Sequence, residues 1–469
     1  LFRSDMKKKV LATLLTFSMV ASLAACGSSG ASTAETPSAD SQTTETTETT
    51  ETTQESTATE GTTDASTAEA TNYGGITLTF MNSKPEISDA LEEVATTWGD
   101  AHGVTFEFYD SSTPSDTLAQ KYAAGDGPIL AVVDGGNIVD MAEEKMLPLD
   151  GEEWISHTTL AKDQNGKVYG WPFTVESQCI VVNKTAVEET LGHEFNKDDY
   201  KTTEQFEALM QELRDNGMEN PVAMLSEEWS MCGHLFSQQF NFQDGTAKGV
   251  FDYIDRIKAG EDPMDDPMFQ NQIEIYRILS EYNINKADPL AAVYDLNCTY
   301  LADGDAAFMP NGTWVWPDLK ELVDDSTEFE IMAYPINKDD LNGRVQAAAT
   351  KWITVDNTIA TDDQKAAAKE FLNYLVMDDQ GQKDLVEKCG IVSAFDNNPY
   401  APADPVNTSL AVDYMSKGLT VDTSPCGFPS DHQTVMAPYI QKLVTGVGTA
   451  RELADAMIEY WATAEPTGR

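Results

Sequence analysis

The chain has 469 residues, of which 78 are Asp or Glu and 30 are Lys or Arg, so its formal net charge is −48 at pH 7. Nucleic acids and anionic lipid surfaces are bound by clustered basic side chains, and this charge balance argues against both as partners. The five histidines and six cysteines are scattered, without the spacing of metal ligands, which argues against a metal centre.

The first residues have the features of an export signal. Three lysines, Lys7 to Lys9, precede the apolar stretch 10–22, which is too short to span a membrane as a helix. The run Leu23-Ala24-Ala25-Cys26 resembles the lipobox of bacterial lipoproteins. This resemblance implies that residues 1–26 are a lipoprotein signal peptide and that Cys26 becomes lipidated, which anchors the protein to a membrane without spanning it.

Residues 27–72 are almost entirely Ser, Thr, Ala, Glu and Gly, with no Lys or Arg. Such a segment has too little apolar surface to offset the entropy of ordering it, and its like charges repel one another. We therefore predict a disordered, extended spacer. The remaining region, 73–469, is long enough for two lobes.

The first part of this region predicts alternating strands and helices. Residues 75–81 and 104–108 alternate apolar and polar side chains, and 129–133 is a continuous apolar strand. Residues 86–102, after the first strand, and residues 115–125, after the second, each have helical periodicity. This βαβαβ order predicts an α/β fold with a parallel sheet, whose ligands bind beyond the carboxyl ends of the strands.

Downstream, the sequence has clear punctuation. Thr202 with Gln205, and Thr361 with Gln364, are spaced as capping boxes at the start of helices. Asn165-Gly166 is a hairpin-turn signal between two strands, and the apolar positions of 453–461 predict a final helix.

Three segments carry a resemblance to a known family. They are 166–184 with its Gly-Lys-Val-Tyr-Gly-Trp-Pro-Phe run, 300–314 ending in Asn-Gly-Thr-Trp, and 366–394 ending in Gly-Ile-Val-Ser-Ala. In order and spacing they resemble family 1 extracellular solute-binding proteins, the sugar-binding components of ABC importers. At 127–129 the chain reads Gly-Pro-Ile, where the family usually has an aspartate after the proline.

The resemblance implies a two-lobed, periplasmic-binding-protein-like clamshell of type II. Each lobe would be a mainly parallel sheet flanked by helices, joined to the other by crossover hinge strands at 172–178 and 314–352. Lobe 1 is expected at about 73–172 plus 305–355, and lobe 2 at about 178–304 plus 356–469. The lobes would close on a ligand in the cleft between them.

The same resemblance implies a role in transport. We expect a lipid-anchored monomer on the outer face of the cell membrane, which delivers a sugar or oligosaccharide to ABC permease subunits. No cofactor, metal or enzymatic activity is expected. The lipid anchor and the long spacer fit a Gram-positive surface, where no outer membrane would retain a free protein.

A sugar site needs aromatic platforms for apolar ring faces and polar side chains for hydroxyl groups. By position against the family motifs, Trp314, Trp229 and Phe428 are the aromatic candidates. A core position is the alternative for Trp314, and helix capping is the alternative for Asp134 and Asn137. The polar candidates are Glu176, Asp134, Asn137, Asn82, Lys84 and Glu228.

Two other functional classes are alternatives. A binding protein for a cationic solute, such as a polyamine or basic peptide, would also suit the acidic composition and would use Glu176, Glu227 and Asp134. A secreted glycosidase would need a carboxylate pair at a defined separation, but no accompanying catalytic motif is present.

Five cysteines are left besides Cys26. An odd number leaves at least one thiol free unless it pairs between chains. The sequence does not determine which of them form disulfides. The five are Cys179, Cys232, Cys298, Cys389 and Cys426.

Overall fold

The computed structural model describes residues 71–421, 423, 428–429 and 431–467. The predicted signal peptide, lipidation site Cys26, nearly all of the predicted spacer, and Cys426 lie outside these residues. No helix within the described ranges is both long and apolar enough to cross a membrane.

The described strands form one nine-stranded mixed sheet. Its main path runs β2-β1-β3-β8-β5-β4, while β6 and β7 pair with β5, and β9 pairs with β8. The strands are β1 Ile76–Asn82, β2 Val104–Asp110, β3 Leu130–Val133, β4 Lys162–Gln164, β5 Lys167–Asn183, β6 Phe308–Gly312, β7 Phe329–Met332, β8 Val345–Val355 and β9 Thr420–Val421.

Helices cover both faces of this sheet. The α-helices of the described residues are α1 Ser88–His102, α2 Pro114–Ala124, α3 Gly135–Lys145, α4 Lys184–Leu191, α5 Thr203–Asp215, α6 Gln238–Asn241, α7 Ala247–Lys258, α8 Pro267–Glu281, α9 Tyr294–Asp303, α10 Trp316–Lys320, α11 Asp362–Met377, α12 Asp379–Lys383, α13 Pro405–Ser409, α14 His432–Val444 and α15 Ala450–Trp461.

The predicted βαβαβ unit is confirmed. β1 pairs in parallel with both β2 and β3. Successive residues of β3 point to opposite faces: Leu130 and Val132 join the core that contains α1, whereas Ala131 and Val133 pack with Ile138 of α3. Both faces of the strand are therefore buried, which explains its continuous apolar sequence.

The longest strand, β5, runs through the segment predicted as the first crossover. Its first half pairs with β4 and β8 and its second half with β6 and β7, all antiparallel. Val181 faces the core that contains β1, and its neighbours Ile180 and Val182 face a second large core that includes α5 and Trp461. Parallel pairing occurs between β1 and its neighbours β2 and β3, and between β8 and β9. The four described strands that pair with β5 are all antiparallel to it.

The turn and the helix caps predicted from the sequence are confirmed. Asn165 and Gly166 have positive φ angles of 51° and 76°, as the two central residues of a type I′ hairpin require. Both predicted capping boxes form at the starts of α5 and α11. The final helix, α15, buries Trp461 in the second core.

The predicted lobe boundaries stay a prediction. The core that contains β1 also takes in side chains from 360–414, among them those of α11, which the sequence analysis assigned to lobe 2. Four cysteines, Cys179, Cys232, Cys298 and Cys389, are free thiols buried in the interior.

His432, at the start of α14, is buried in the second core with its ring against Phe428 and Trp461. Burial lowers the pKa of His432 to about 4, and the nearby carboxylate of Asp431 offsets this only in part. Between pH 6.5 and 4 the unfolded chain therefore binds a proton at this residue that the folded chain does not. The contribution of His432 to folding stability therefore falls as the pH drops through this window.

We predict that His432→Phe reduces the acid sensitivity of folding. Between pH 7 and pH 5 the variant should lose about 2 kcal/mol less of its unfolding free energy than the wild type, measured by urea titration at both pH values. His193→Gln, at an exposed histidine, is the control and should not reduce the loss. An unchanged pH dependence in His432→Phe would contradict the prediction.

Candidate functional site

A π-helical turn, Trp229–Phe236, follows the buried segment 222–225. In a π-helix the hydrogen bonds run from residue i to residue i+5, which brings side chains five positions apart close together. Trp229 and His234 have this spacing, and their ring centroids are 5.1 Å apart. The turn thus places an indole and an imidazole side by side.

Trp314 reaches the same place from the end of β6. Its indole lies so close over Gly312 that a Cβ atom there would stand 2.0 Å from a ring carbon. The Trp314 ring is 4.8 Å from His234 and 6.4 Å from Trp229, between centroids. Tyr294 lies 6.2 Å from Trp229 and completes what we call the aromatic cluster: Trp229, His234, Tyr294 and Trp314.

A buried ion pair lies beside this cluster. The Lys84 ammonium contacts the carboxylates of Glu86, at 2.5 Å, and Glu176. Thr350 of β8 donates its hydroxyl hydrogen to the other carboxylate oxygen of Glu176. Burial by itself would lower the pKa of Lys84, but the charges of Glu176 and Glu86 outweigh it and raise that pKa. Lys84 is therefore charged, and its ammonium compensates charge on the carboxylates of both Glu176 and Glu86.

A second lysine neutralises Asp134. Lys351 Nζ lies 2.7 Å from Asp134 Oδ1. Asp134 also precedes α3, where its backbone N–H donates to Asn137 Oδ1 at 3.1 Å, and Asn137 Nδ2 donates to Ser115 Oγ at 2.7 Å. Asn137 thus has the capping role that the sequence analysis gave as its alternative.

Three further candidates have other surroundings. Asn82 is fully buried and its amide hydrogen-bonds to Ser88 Oγ and to the backbone of Lys84, which fixes the turn after β1. Phe428 packs on Phe240, His432 and Trp461 in the second core, and its ring contacts among the described residues do not include the aromatic cluster. Glu228 is exposed, next to Trp229.

A cavity of about 20 Å³ lies between the ion pair and Trp314, the one member of the aromatic cluster that lines it among the described residues. This is room for about one water molecule, so a larger ligand requires the walls to separate. The walls come from distant parts of the sequence: Lys84, Glu86, Ile87, Thr174, Glu176, Thr313, Trp314, Pro317, Cys389, Gly390, Ile391 and Asn407.

His234 connects the two groups of residues. Burial lowers the pKa of its imidazole to about 4, and Glu176, Lys351 and Asp134 are the charged groups that act on it. The ring is therefore neutral at pH 7. In the described residues its Nδ1 is a buried atom without a hydrogen-bond partner.

The structure thus brings together Trp229, Trp314, Glu176 and Lys84, with Asp134 close by. Sequence reasoning missed His234, Tyr294, Thr350 and Lys351. For His234 the five-residue spacing from Trp229 was a usable signal only if a π-helical turn had been considered. For Thr350 and Lys351 the pairing across β5 and β8 carries the information, and the sequence has no local mark of it.

A profile of bacterial extracellular solute-binding proteins matches residues 93–406. The chain belongs to this family. A comparison with curated proteins gave no match.

Many solved structures share the fold. One described as RafE in complex with raffinose is 18% identical, with a TM-score of 0.66, covering 82% of this chain and 98% of its own. The apo form of RafE from Streptococcus pneumoniae is 18% identical, with a TM-score of 0.64, and the match covers 83% of this chain and 98% of that structure. A family 1 extracellular solute-binding protein from Bifidobacterium longum subsp. infantis is 21% identical, with a TM-score of 0.58, and the match covers 83% of this chain and 100% of that structure. The chain therefore has the two-lobed periplasmic-binding-protein-like fold that its sequence predicted.

We predict that Lys84→Met destabilises the fold by about 3–5 kcal/mol, because it leaves Glu176 and Glu86 charged without their cation. Adding Glu176→Gln should recover much of this loss, since a neutral amide still accepts the Thr350 hydrogen bond. Urea unfolding of both single variants and the double variant measures the coupling. Lys121→Met, which breaks an exposed ion pair with Asp126, is the control and should cost about 1 kcal/mol or less. Additive effects of the two substitutions would contradict the proposed pairing.

Gly312→Ala should displace the Trp314 indole, because the new methyl group overlaps the ring. We expect a changed near-ultraviolet circular dichroism spectrum of the tryptophans and a stability loss of about 1–3 kcal/mol. Gly136→Ala in α3 is the matched control, since a Cβ atom there meets nothing within 4 Å. A spectrum of Gly312→Ala identical to that of the control would show that Trp314 is not held over Gly312.

Proposed function

We propose that this extracellular solute-binding protein captures a neutral sugar or oligosaccharide and delivers it to ABC permease subunits. The observation that carries the proposal is the aromatic cluster, which offers two indole rings beside polar groups. Apolar sugar faces stack on such rings while their hydroxyl groups form hydrogen bonds. We propose no catalytic role, because transport proteins of this kind bind their solute unchanged.

The electrostatics favour a neutral ligand over the cationic alternative. A polyamine or basic peptide needs unpaired carboxylates, but Glu176 is paired with Lys84 and Asp134 with Lys351. Replacing these internal partners with a ligand cation would leave Lys351 without its carboxylate and Lys84 with Glu86 alone. A sugar makes no such demand.

Structural relatives support the same ligand class. One is described as a manno-oligosaccharide-specific solute-binding protein from Bifidobacterium animalis subsp. lactis in complex with mannotriose. Another is described as a chitin oligosaccharide binding protein. Together with the raffinose complex of RafE, these relatives bind saccharides of different composition, so they support the class and not one sugar.

We further propose that closure occurs by bending at β5 and β8. Their pairing is irregular between Pro172 and Val175, next to Glu176. A register irregularity bends a strand locally and removes ladder hydrogen bonds. The lobe boundaries given above and a monomeric state are part of the same proposal, as is anchoring outside a Gram-positive cell through a lipid on Cys26.

The test is a thermal-shift and calorimetric screen of the full chain against raffinose, mannotriose, a chitin oligosaccharide and spermidine. We expect one saccharide to raise the melting temperature by mass action, with an affinity that hardly changes with salt. A shift by spermidine alone, weakened by salt, would overturn the choice of ligand class.

Trp314→Ala should abolish the saccharide shift while the protein stays folded. The matched control is Trp316→Ala, because Trp316 lies outside the aromatic cluster, against Phe329 at 5.8 Å. If Trp314→Ala unfolds the protein, or binds as the wild type does, then Trp314 is a core residue and no sugar platform.

A further inference from the structure

His234 has surroundings that packing alone does not explain. Its imidazole lies against the indoles of both Trp229 and Trp314, at centroid distances of 5.1 Å and 4.8 Å. An apolar ring would fill this position without adding polar atoms to the interior. The imidazole instead brings a buried nitrogen, Nδ1, that has no hydrogen-bond partner among the described residues.

Two more buried acceptor atoms, which have no partner in the part of the chain that the structure describes, lie on elements that contact the π-helical turn. Asn311 Oδ1 belongs to β6, the strand that packs against the π-helical turn. Gln238 Oε1 lies one turn after His234, and its amide nitrogen donates to the His234 carbonyl oxygen at 3.0 Å and to Gln178 Oε1 at 2.9 Å. Buried polar groups are normally paired, so unpaired ones around the π-helical turn indicate a partner that comes from outside the chain.

We propose that His234 is a ligand-binding residue whose Nδ1 pairs with a hydroxyl group of the saccharide held at Trp229 and Trp314. The inference rests on the proposed sugar-binding function and names the residue that orients the sugar. A hydroxyl group suits this atom because it can both donate and accept, so it pairs with either tautomer of a neutral imidazole.

The charges around His234 are consistent with this role. Glu176, Asp134 and Lys351 are the charged groups that act on the ring, and each of the two carboxylates has its own lysine partner. The low pKa of His234, about 4 because of burial, keeps the ring neutral in the physiological range. A neutral ring with a free nitrogen selects a polar, uncharged partner.

Two substitutions separate binding from packing. His234→Phe keeps an aromatic ring against the indoles and removes both nitrogens. His234→Asn loses the ring but keeps a polar atom at the position of Nδ1. If the residue binds the ligand, His234→Phe should weaken saccharide affinity by about tenfold or more and His234→Asn by less. A packing role predicts the opposite order.

The experiment is isothermal titration of the full chain and both variants with the tightest binder among raffinose, mannotriose and a chitin oligosaccharide. Melting without ligand checks the fold, and His234→Phe should melt no lower than the wild type because it buries one polar group fewer. If a variant does not fold, the ¹⁵N signal of His234 Nδ1 in the wild type decides, since saturation with the saccharide should shift it.

The outcomes are distinguishable. Saccharide binding that His234→Phe leaves unchanged, or a Nδ1 signal that the saccharide does not move, overturns the role of His234 and leaves the proposed function intact. If no saccharide binds the wild type, the proposed function fails and this inference fails with it. Weakened binding in His234→Phe, with partial retention in His234→Asn, supports both.

Discussion

The buried ion pair between Lys84 and Glu176 is the interaction on which the site depends. It joins the turn after β1 to the middle of β5, and Thr350 extends the link to β8. Removing two charges from water is costly, so such a pair persists only when geometry and further hydrogen bonds compensate it. Here Glu86 and Thr350 supply further contacts, and the result is a wall in which one ammonium is shared by two carboxylates.

This wall limits the free negative charge beside the aromatic cluster. An uncompensated carboxylate beside Trp314 would attract cations, whereas a carboxylate whose charge is met by lysine contributes only hydrogen-bonding capacity. The same environment keeps His234 uncharged, because burial disfavours its protonated form more than the paired carboxylates favour it. Indole faces and neutral polar atoms are therefore combined in one small volume.

Much of the fold could be predicted from the sequence because its signals are local. The alternation of β1, the apolar run of β3, the Asn165-Gly166 turn and the capping boxes each depend on a few neighbouring residues. The site was predicted less fully. The partners Lys84 and Glu176 are 92 positions apart, so each was identified as a polar candidate but their pairing was not. His234 was not predicted, because the 3.6-residue period of an α-helix does not bring it next to Trp229. Their contact depends on the wider π-helical turn.

The position of the strand irregularity ties stability to the proposed function. Strands β5 and β8 lose regular pairing between Pro172 and Val175, and Pro172 has no N–H to donate. Immediately beyond, Glu176 is held by Lys84 and Thr350, so the stiffest contact of the wall adjoins its most easily bent segment. Beyond the irregularity, β5 pairs with β6 and the Ser177 N–H donates to Thr313 Oγ1, so Glu176 and Trp314 lie on one side of the bend and Lys84 lies on the other. Widening the cavity of about 20 Å³ by such a bend would act on the contact between Lys84 and Glu176, so opening of the site and the strength of the buried ion pair are coupled.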